Sequence, residues 1–138
     1  SGSGDTGSPA SANGINWAPS LKQAIDRARS DGRLLFIYVH SELAEPCREV
    51  ERTLFQDPEV LSELGNFHCG RFDARLNRSY SSFFKIIRVP TFMVCTGGGR
   101  EIMRIESVPD KAAFLRRLRS ARDLPDLPLH IETCKNVA

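Results

Sequence analysis

The stretch FIYVHSELAEPCREVERTLFQDPEV, residues 36–60, decides the fold. It begins inside RLLFIYVH, residues 33–40, a short apolar run rich in branched and aromatic residues. Such a run predicts a strand that is covered on both faces. The chain then passes Pro46 and delivers Cys47 at the expected start of a helix. A thiol is therefore presented at a helix N-terminus, directly after a buried strand.

Helices and strands are predicted on both sides of this stretch. A first helix begins after the candidate N-cap Ser20 and ends at Asp31-Gly32, since glycine suits the left-handed turn after a helix. Asp57-Pro58 opens another short helix, with Asp as its N-cap. The second inner strand is predicted within FHCGRFDA, residues 67–74. Together these elements predict an α/β domain.

The second half of the domain is predicted to contain a helical segment, a hairpin and a last helix. The helical segment runs from about Tyr80 to Ile87 and uses Tyr80, Phe83, Phe84 and Ile87 as its apolar face. VPTFMVC at 89–95 and REIMRIE at 100–106 are two strands joined by TGGG, because glycines reach positive φ at little cost. Asp110 caps the last helix, which should direct Phe114, Leu115 and Leu118 inward.

Composition predicts a single domain with loose ends. The chain has 138 residues, of which 41% are hydrophobic and 26% charged, and its formal net charge is +2. This balance does not favour nucleic acid or a membrane as a partner, and no apolar run is long enough to span a bilayer. Residues 1–14 contain little to bury and predict a flexible tail or linker. We expect the domain at 15–122 and an extended or loose tail at 123–138, where Pro125 and Pro128 block a regular helix.

Three signatures in this order resemble the thioredoxin-like fold superfamily. They are the strand leading to the helix with Cys47, the strand FHCGRFDA that ends near an Asp, and RVPTF, where the resemblance implies a cis peptide bond before Pro90. The resemblance covers about residues 15–121 and implies a central mixed sheet flanked by helices, with a terminal β-hairpin. It is closest to the branch that carries F-x-D-P-E-V after the active-site helix, here Phe55 to Val60. LLFIYVHSE is also similar to the UAS-type thioredoxin-like domain.

The active site that this resemblance implies is degenerate. The family motif is W-C-x-x-C, and the corresponding residues here are Leu43, Ala44, Glu45, Pro46 and Cys47. Thiol–disulfide exchange needs one thiolate that attacks and a second thiol that resolves the mixed disulfide. The attacker in this fold is the first cysteine, so Ala44 removes it and the resolver remains. A dithiol oxidoreductase is therefore not expected.

Two opposing influences act on Cys47. The helix N-terminus and Arg48 favour its thiolate, whereas burial and nearby carboxylates raise a thiol pKa. The four acidic residues within six positions of Cys47 are Glu42, Glu45, Glu49 and Glu51. We expect them to offset the helix contribution, which favours a buried structural cysteine.

The remaining motifs predict structure more than chemistry. Cys69 and Cys95 are expected to be small core residues, Cys134 an exposed thiol, and a disulfide from Cys47 to another cysteine stays open. His40, Cys47, His68 and Cys69 lack zinc-type spacing, so neither a metal nor another cofactor is expected. TGGGR lacks the Lys-Ser or Lys-Thr of a phosphate loop. Arg116, Arg117, Arg119 and Arg122 predict a solvated helix face, since no aromatic residues interleave them.

Two functions follow as hypotheses. The first is a non-catalytic module that binds a protein or peptide in a groove, which the resemblance places between Leu43–Pro46 and the segment Val89, Pro90 and Thr91. Glu42 and Glu45 would bias that groove toward basic ligands. The alternative is a single-cysteine oxidoreductase or redox sensor that uses Cys47. The location is expected to be extracytoplasmic, periplasmic or secreted, after removal of a signal peptide, with the cytoplasm as the alternative.

Overall fold

The computed structural model of the chain describes residues 14–123. The tails expected before and after the domain, and with them Cys134, lie outside this range except for the boundary residues. Within it, Ile15 is already buried, and Trp17 forms an isolated bridge to Cys69. These contacts belong to the range 15–122 that the sequence predicts as the domain.

A four-stranded mixed sheet forms the centre of the molecule. In chain order the strands are β1 (Leu35–His40), β2 (His68–Asp73), β3 (Thr91–Cys95) and β4 (Glu101–Ile105), and their spatial order is β2-β1-β3-β4. β1 is parallel to β2 and antiparallel to β3, and β3 and β4 form an antiparallel hairpin. The central β1 is buried along most of its length, as the continuous apolar run predicted.

Within residues 14–123, five helices and one 3-10 turn surround this sheet. The helices are α1 (Leu21–Asp31), α2 (Glu45–Arg52), α3 (Pro58–Leu64), α4 (Arg78–Phe83) and α5 (Lys111–Asp123), and the 3-10 turn is Leu54–Gln56. The predicted N-caps are present: the Ser20 hydroxyl accepts the Gln23 N–H, and the Asp57 carboxylate accepts those of Glu59 and Val60. Each cap satisfies backbone donors that a helix leaves unpaired at its start.

The two sides of the sheet carry separate apolar clusters. One side presents Phe36, Tyr38 and Phe92 to α2, the 3-10 turn, α3 and α5. The other presents Ile37 and Met93 to α1 and to the α4 region. Because successive residues of a strand point to opposite faces, the unbroken apolar run of β1 supplies both clusters.

One prediction about the apolar core was wrong. The helical segment expected from Tyr80 to Ile87 ends at Phe83, and Phe83 and Ile87 are 76% and 72% exposed instead of buried. Lys85 adopts φ 56°, which turns the chain out of the helix, so helical spacing no longer applies to Ile87.

The arginine face of α5 is exposed, as the sequence predicted. From this face, Arg119 and Arg122 both reach the buried Glu63 of α3, with Arg122 Nη1 2.7 Å from Glu63 Oε2, and Arg117 donates to the Arg104 carbonyl. The exposed face also ties α5 to α3, since a carboxylate with little access to water needs charged partners.

Candidate functional site

The loop between β1 and α2 carries the residues that stand at the expected active site. Ala44 is the N-cap of α2, in extended conformation and without a side-chain capping bond. Its methyl group thus occupies the position where the resemblance implies an attacking thiol. Leu43 is 72% exposed, and the side chains of Glu45 and Pro46 are exposed as well.

Cys47 points away from solvent. It is 1% exposed and packs in the core cluster under α2. Burial raises the pKa of the Cys47 thiol, and the charges of Glu51 and Asp73 add to this; hydrogen bonds from the Ser41 backbone and the Tyr38 hydroxyl oppose it. Because a thiolate is the nucleophilic form, a buried thiol of raised pKa is a poor attacker.

The carboxylates and Arg48 act differently from the sequence expectation. Glu45 and Glu49 are engaged by Arg52, whose Nη2 lies 3.4 and 2.9 Å from their oxygens. Arg48 donates to the Glu42 carbonyl at 2.9 Å and lies 3.9 Å from Glu45. Of the four acidic residues, Glu51 contributes to the raised pKa of Cys47 together with the more distant Asp73.

A buried tyrosine lies beneath α2, and sequence reasoning missed its role. The hydroxyl of Tyr38 is shared between the Glu51 carboxylate at 2.9 Å and the Cys47 carbonyl at 3.2 Å. Burial, with smaller contributions from Cys47 and Glu51, raises the pKa of this phenol far above its ordinary value. The His40 ring stacks on Tyr38 with centroids 5.2 Å apart, and burial lowers the pKa of that imidazole. The two-residue period of β1 puts Tyr38 and His40 on the α2 side, which was the available signal.

Asp73 joins the site loop to the neighbouring one. It ends β2 opposite His40, and its carboxylate accepts the N–H groups of Arg75 at 2.8 Å, Leu76 at 3.3 Å and Glu42 at 3.4 Å. Burial raises the pKa of this carboxyl, but these hydrogen bonds outweigh it and hold the pKa below its usual range. The strand-ending Asp is therefore a structural anchor for two loops.

The segment before β3 forms the other side of the expected groove. The Val89–Pro90 peptide bond is cis, and Pro90 is buried. Val89 and Ala44 both pack, partly exposed, against the same core cluster. Thr91 is fully buried and donates from its hydroxyl to the Arg88 carbonyl at 2.7 Å, so its side chain is not available at the surface.

The other cysteines and histidines do not assemble into a second centre. Cys47, Cys69 and Cys95 are free and buried, and burial raises the pKa of Cys69 to about 12 and that of Cys95 to about 11. His68 lies 2.8 Å from Asp31, at the strand end opposite to His40. Within residues 14–123, no group of three His, Cys, Asp or Glu side chains could hold a metal ion. No helix in the same range is long and apolar enough to cross a bilayer.

Comparison with solved structures identifies the fold. A thioredoxin from Thermus thermophilus superimposes with a TM-score of 0.71 at 23% identity, covering 78% of this chain and 87% of that one. A structure described as "DsbH Oxidoreductase" also gives 0.71, at 17% identity, over 88% and 94% of the two chains. The chain has a thioredoxin-like fold, as the sequence predicted.

Comparison with curated proteins gives two relatives with the same name. No protein-family model matches the chain. The thiol:disulfide interchange protein DsbD of Pseudomonas fluorescens is 28% identical over 109 residues, and that of Tatumella citrea is 23% identical over 114 residues. These matches cover 75% and 78% of this chain but only 19% of each relative. The chain thus spans about a fifth of the length of the relatives it matches, and the similarity to UAS domains stays a prediction.

Proposed function

We propose that this protein is a non-catalytic thioredoxin-fold module that binds an extended peptide segment of a partner protein. The observation that carries the proposal is the pairing of Ala44 at the helix N-cap with a Cys47 that is 1% exposed. Position 44 has no thiol, and the thiol at position 47 is buried. Neither arrangement supplies the exposed thiolate that disulfide exchange requires.

The binding groove lies between Leu43–Pro46 and Val89–Pro90. Leu43 projects an apolar side chain into solvent beside it, and exposed large apolar residues of this kind mark interaction sites when they cluster. The backbone of residue 89 lies just before β3 and outside the ladder that joins β1 to β3. An extended peptide can pair with such a segment through main-chain hydrogen bonds, which need no thiol.

The extracytoplasmic location expected from the sequence belongs to this proposal. Its support is the similarity to two bacterial proteins named for thiol:disulfide interchange. Disulfide chemistry is typical of oxidising compartments outside the cytoplasm.

A peptide-selection experiment tests the module. Peptides are selected from a randomised eight-residue phage-displayed library on the immobilised chain, and their affinities are then measured for variants. We expect Cys47→Ser and Cys47→Ala to bind within about threefold of the wild type. Leu43→Asp should lower the affinity about tenfold or more, because it puts a charge where the bound peptide would bury apolar surface. Ala112→Asp, at an exposed position of α5, is the matched control and should bind normally. Failure to enrich any peptide, or loss of binding in both Cys47 variants, overturns the proposal.

Alkylation of the native protein separates the module from the single-cysteine redox alternative. We expect iodoacetamide to modify Cys47 about a hundredfold more slowly in the folded chain at pH 8 than in urea, because access requires local opening. The modified sites are identified by peptide mass spectrometry. Rapid reaction of Cys47 in the folded chain, with an apparent pKa below the roughly 8.5 of a free thiol, would instead establish Cys47 as a reactive thiol.

A further inference from the structure

An open pocket adjoins the groove on the side away from α2. It has a volume of about 560 Å³ and lies between the β2–α4 loop, α4 and the segment that precedes the cis-proline. The residues that matter for its chemistry are Arg75, Arg78, Ile86, Ile87, Arg88 and Val89. We call it the arginine pocket. Val89 lines this pocket and is also a residue of the proposed groove, so the two share one residue.

The three arginines of this pocket are exposed and not neutralised. No carboxylate within residues 14–123 forms an ion pair with Arg75, Arg78 or Arg88, and their guanidinium groups make no hydrogen bond to that part of the chain. Arg52, Arg104, Arg119 and Arg122 are instead engaged by carboxylates, whereas Arg29 and Arg116 form no ion pair within residues 14–123. Three free guanidinium groups around one concave surface therefore offer up to five donors each to an anionic ligand.

Apolar side chains accompany these charges. Ile87, in the pocket wall, is 72% exposed, and Leu76, between Arg75 and Arg78 in the chain, is 73% exposed. A free inorganic anion would use the guanidinium groups but would leave these side chains in water. A ligand that covers both needs carboxylates and apolar groups in alternation, which is what an extended acidic peptide provides.

The acidic side of the groove does not offset this preference. Glu45 was expected to attract basic ligands, but it lies 3.4 Å from Arg52 and 3.9 Å from Arg48. These arginines offset part of its charge, although Arg52 is shared with Glu49 and the exposed Glu42 carboxylate has no ion pair within residues 14–123. On the Val89 side the uncompensated charge is positive, and like charges across an interface exclude the wrong partner.

We propose that the arginine pocket selects the partner of the groove: an extended peptide segment in which Asp or Glu residues alternate with aliphatic ones. This rests on the proposed binding function and names its ligand class. The carboxylates pair with Arg75, Arg78 and Arg88, and the aliphatic side chains cover Leu76 and Ile87 while the backbone continues past Val89.

Two defined probes test this class of ligand on the full chain. The first is a fluorescein-labelled, end-capped octapeptide that alternates Glu and Val, and the second carries Lys in place of every Glu. Anisotropy titrations at 50 and 300 mM salt should show at least tenfold tighter binding of the Glu probe at low salt, with a smaller margin at high salt. The affinity of the double variant Arg75→Glu/Arg78→Glu for the Glu probe should be at least tenfold lower than that of the wild type. Glu at position 78 is compatible with the fold because it is the first residue of α4.

A matched variant controls for net charge. Arg29→Glu/Arg116→Glu makes the same charge change at exposed positions of α1 and α5 that line neither groove nor arginine pocket. This control variant should bind the Glu probe with an affinity within about threefold of that of the wild type. Circular dichroism and urea unfolding of both double variants verify that each remains folded.

The outcomes distinguish this inference from the function on which it rests. If library-selected peptides bind at Leu43 but the Glu probe binds no better than the Lys probe, the acidic class is wrong and the module stands. Equal loss in the two double variants shows a non-specific charge effect and overturns the inference. Tighter binding of a 20-nucleotide single-stranded oligothymidine than of the Glu probe, lost in the pocket variant, would assign the surface to nucleic acid instead.

Discussion

Ala44 stands at the N-cap of α2, where the resemblance implies a thiol, and the thiol of Cys47 is buried. The Tyr38 hydroxyl is hydrogen-bonded both to the Cys47 carbonyl and to the Glu51 carboxylate, and it thereby holds the first turns of α2. At the residue scale the site is therefore organised around a hydrogen bond that fixes the helix.

Tyr38→Phe tests that bond. Removing the hydroxyl keeps the ring packing but deletes a buried bond to a carboxylate, so we expect the free energy of unfolding to fall by about 1–2 kcal/mol. Urea titration followed by circular dichroism measures it. Tyr80→Phe is the control, because the Tyr80 hydroxyl has no partner within residues 14–123; its effect should stay within about 0.5 kcal/mol. Equal effects in the two variants would contradict the role given to Tyr38.

At the element scale, the loops after β1 and β2 are held together by one side chain. Asp73 accepts backbone N–H groups from both loops, including that of Glu42. The loop after β1 supplies Leu43 and Ala44 of the proposed groove, and the loop after β2 supplies Arg75 of the pocket. The position of the groove relative to the pocket thus depends on a buried carboxylate that touches neither ligand surface.

The contribution of the Asp73 carboxylate to the free energy of unfolding should depend on pH in the acid range. The folded-state pKa of Asp73 is below its ordinary value of 3.8, so its contribution is complete above that value and is lost as pH falls through the folded pKa. Asp73→Asn should cost about 1–2 kcal/mol at pH 7, and the difference from the wild type should shrink below about pH 4. Urea unfolding at pH 7, 5, 4 and 3 measures this.

The exposed Asp26 provides the comparison for Asp73. It pairs only with Lys22 at the surface of α1, where ion pairs contribute little. Asp26→Asn should change the free energy of unfolding by about 0.5 kcal/mol or less at every pH. A pH-independent effect of Asp73→Asn would refute the assignment.

At the scale of the whole molecule, one face of the sheet carries the main aromatic core. The Phe92 ring lies 5.2 Å from that of Phe114 and 5.5 Å from that of Tyr38, measured between centroids. This contact links the sheet to α5 and brings the buried tyrosine into the same packed unit. The opposite edge of the fold presents Phe83, which is 76% exposed.

Replacing Phe by Leu at positions 92 and 83 compares the free-energy contributions of a buried and an exposed aromatic ring. Phe92→Leu leaves an imperfectly filled core and should lower the free energy of unfolding by about 1–2 kcal/mol. Phe83→Leu removes little buried surface and should change it by about 0.5 kcal/mol or less. Thermal and urea unfolding of both variants provide the values. If Phe83→Leu proved the more costly, the core described here would be wrong.

Much of the fold could be predicted from the sequence because its signals are local. The apolar run of β1, the caps Ser20 and Asp57, and the glycine turn of the β3–β4 hairpin each depend on a few adjacent residues. The end of α4 could not be predicted from the sequence. The apolar spacing of residues 80–87 continues past the left-handed turn at Lys85, where the helix has already ended.

For the site, the sequence by itself determined that position 44 carries no thiol, because alanine has none whatever the structure around it. Only the tertiary structure decided the rest. Burial of Cys47 depends on residues brought over it by the fold. The bond from Tyr38 to Cys47 joins positions 9 residues apart in the chain, and the bond from Glu42 to Asp73 joins positions 31 residues apart. Charge pairing is also spatial: Arg52 offsets part of the charge of Glu45, while Arg75, Arg78 and Arg88 stay free, and a sequence count of charges cannot distinguish the two.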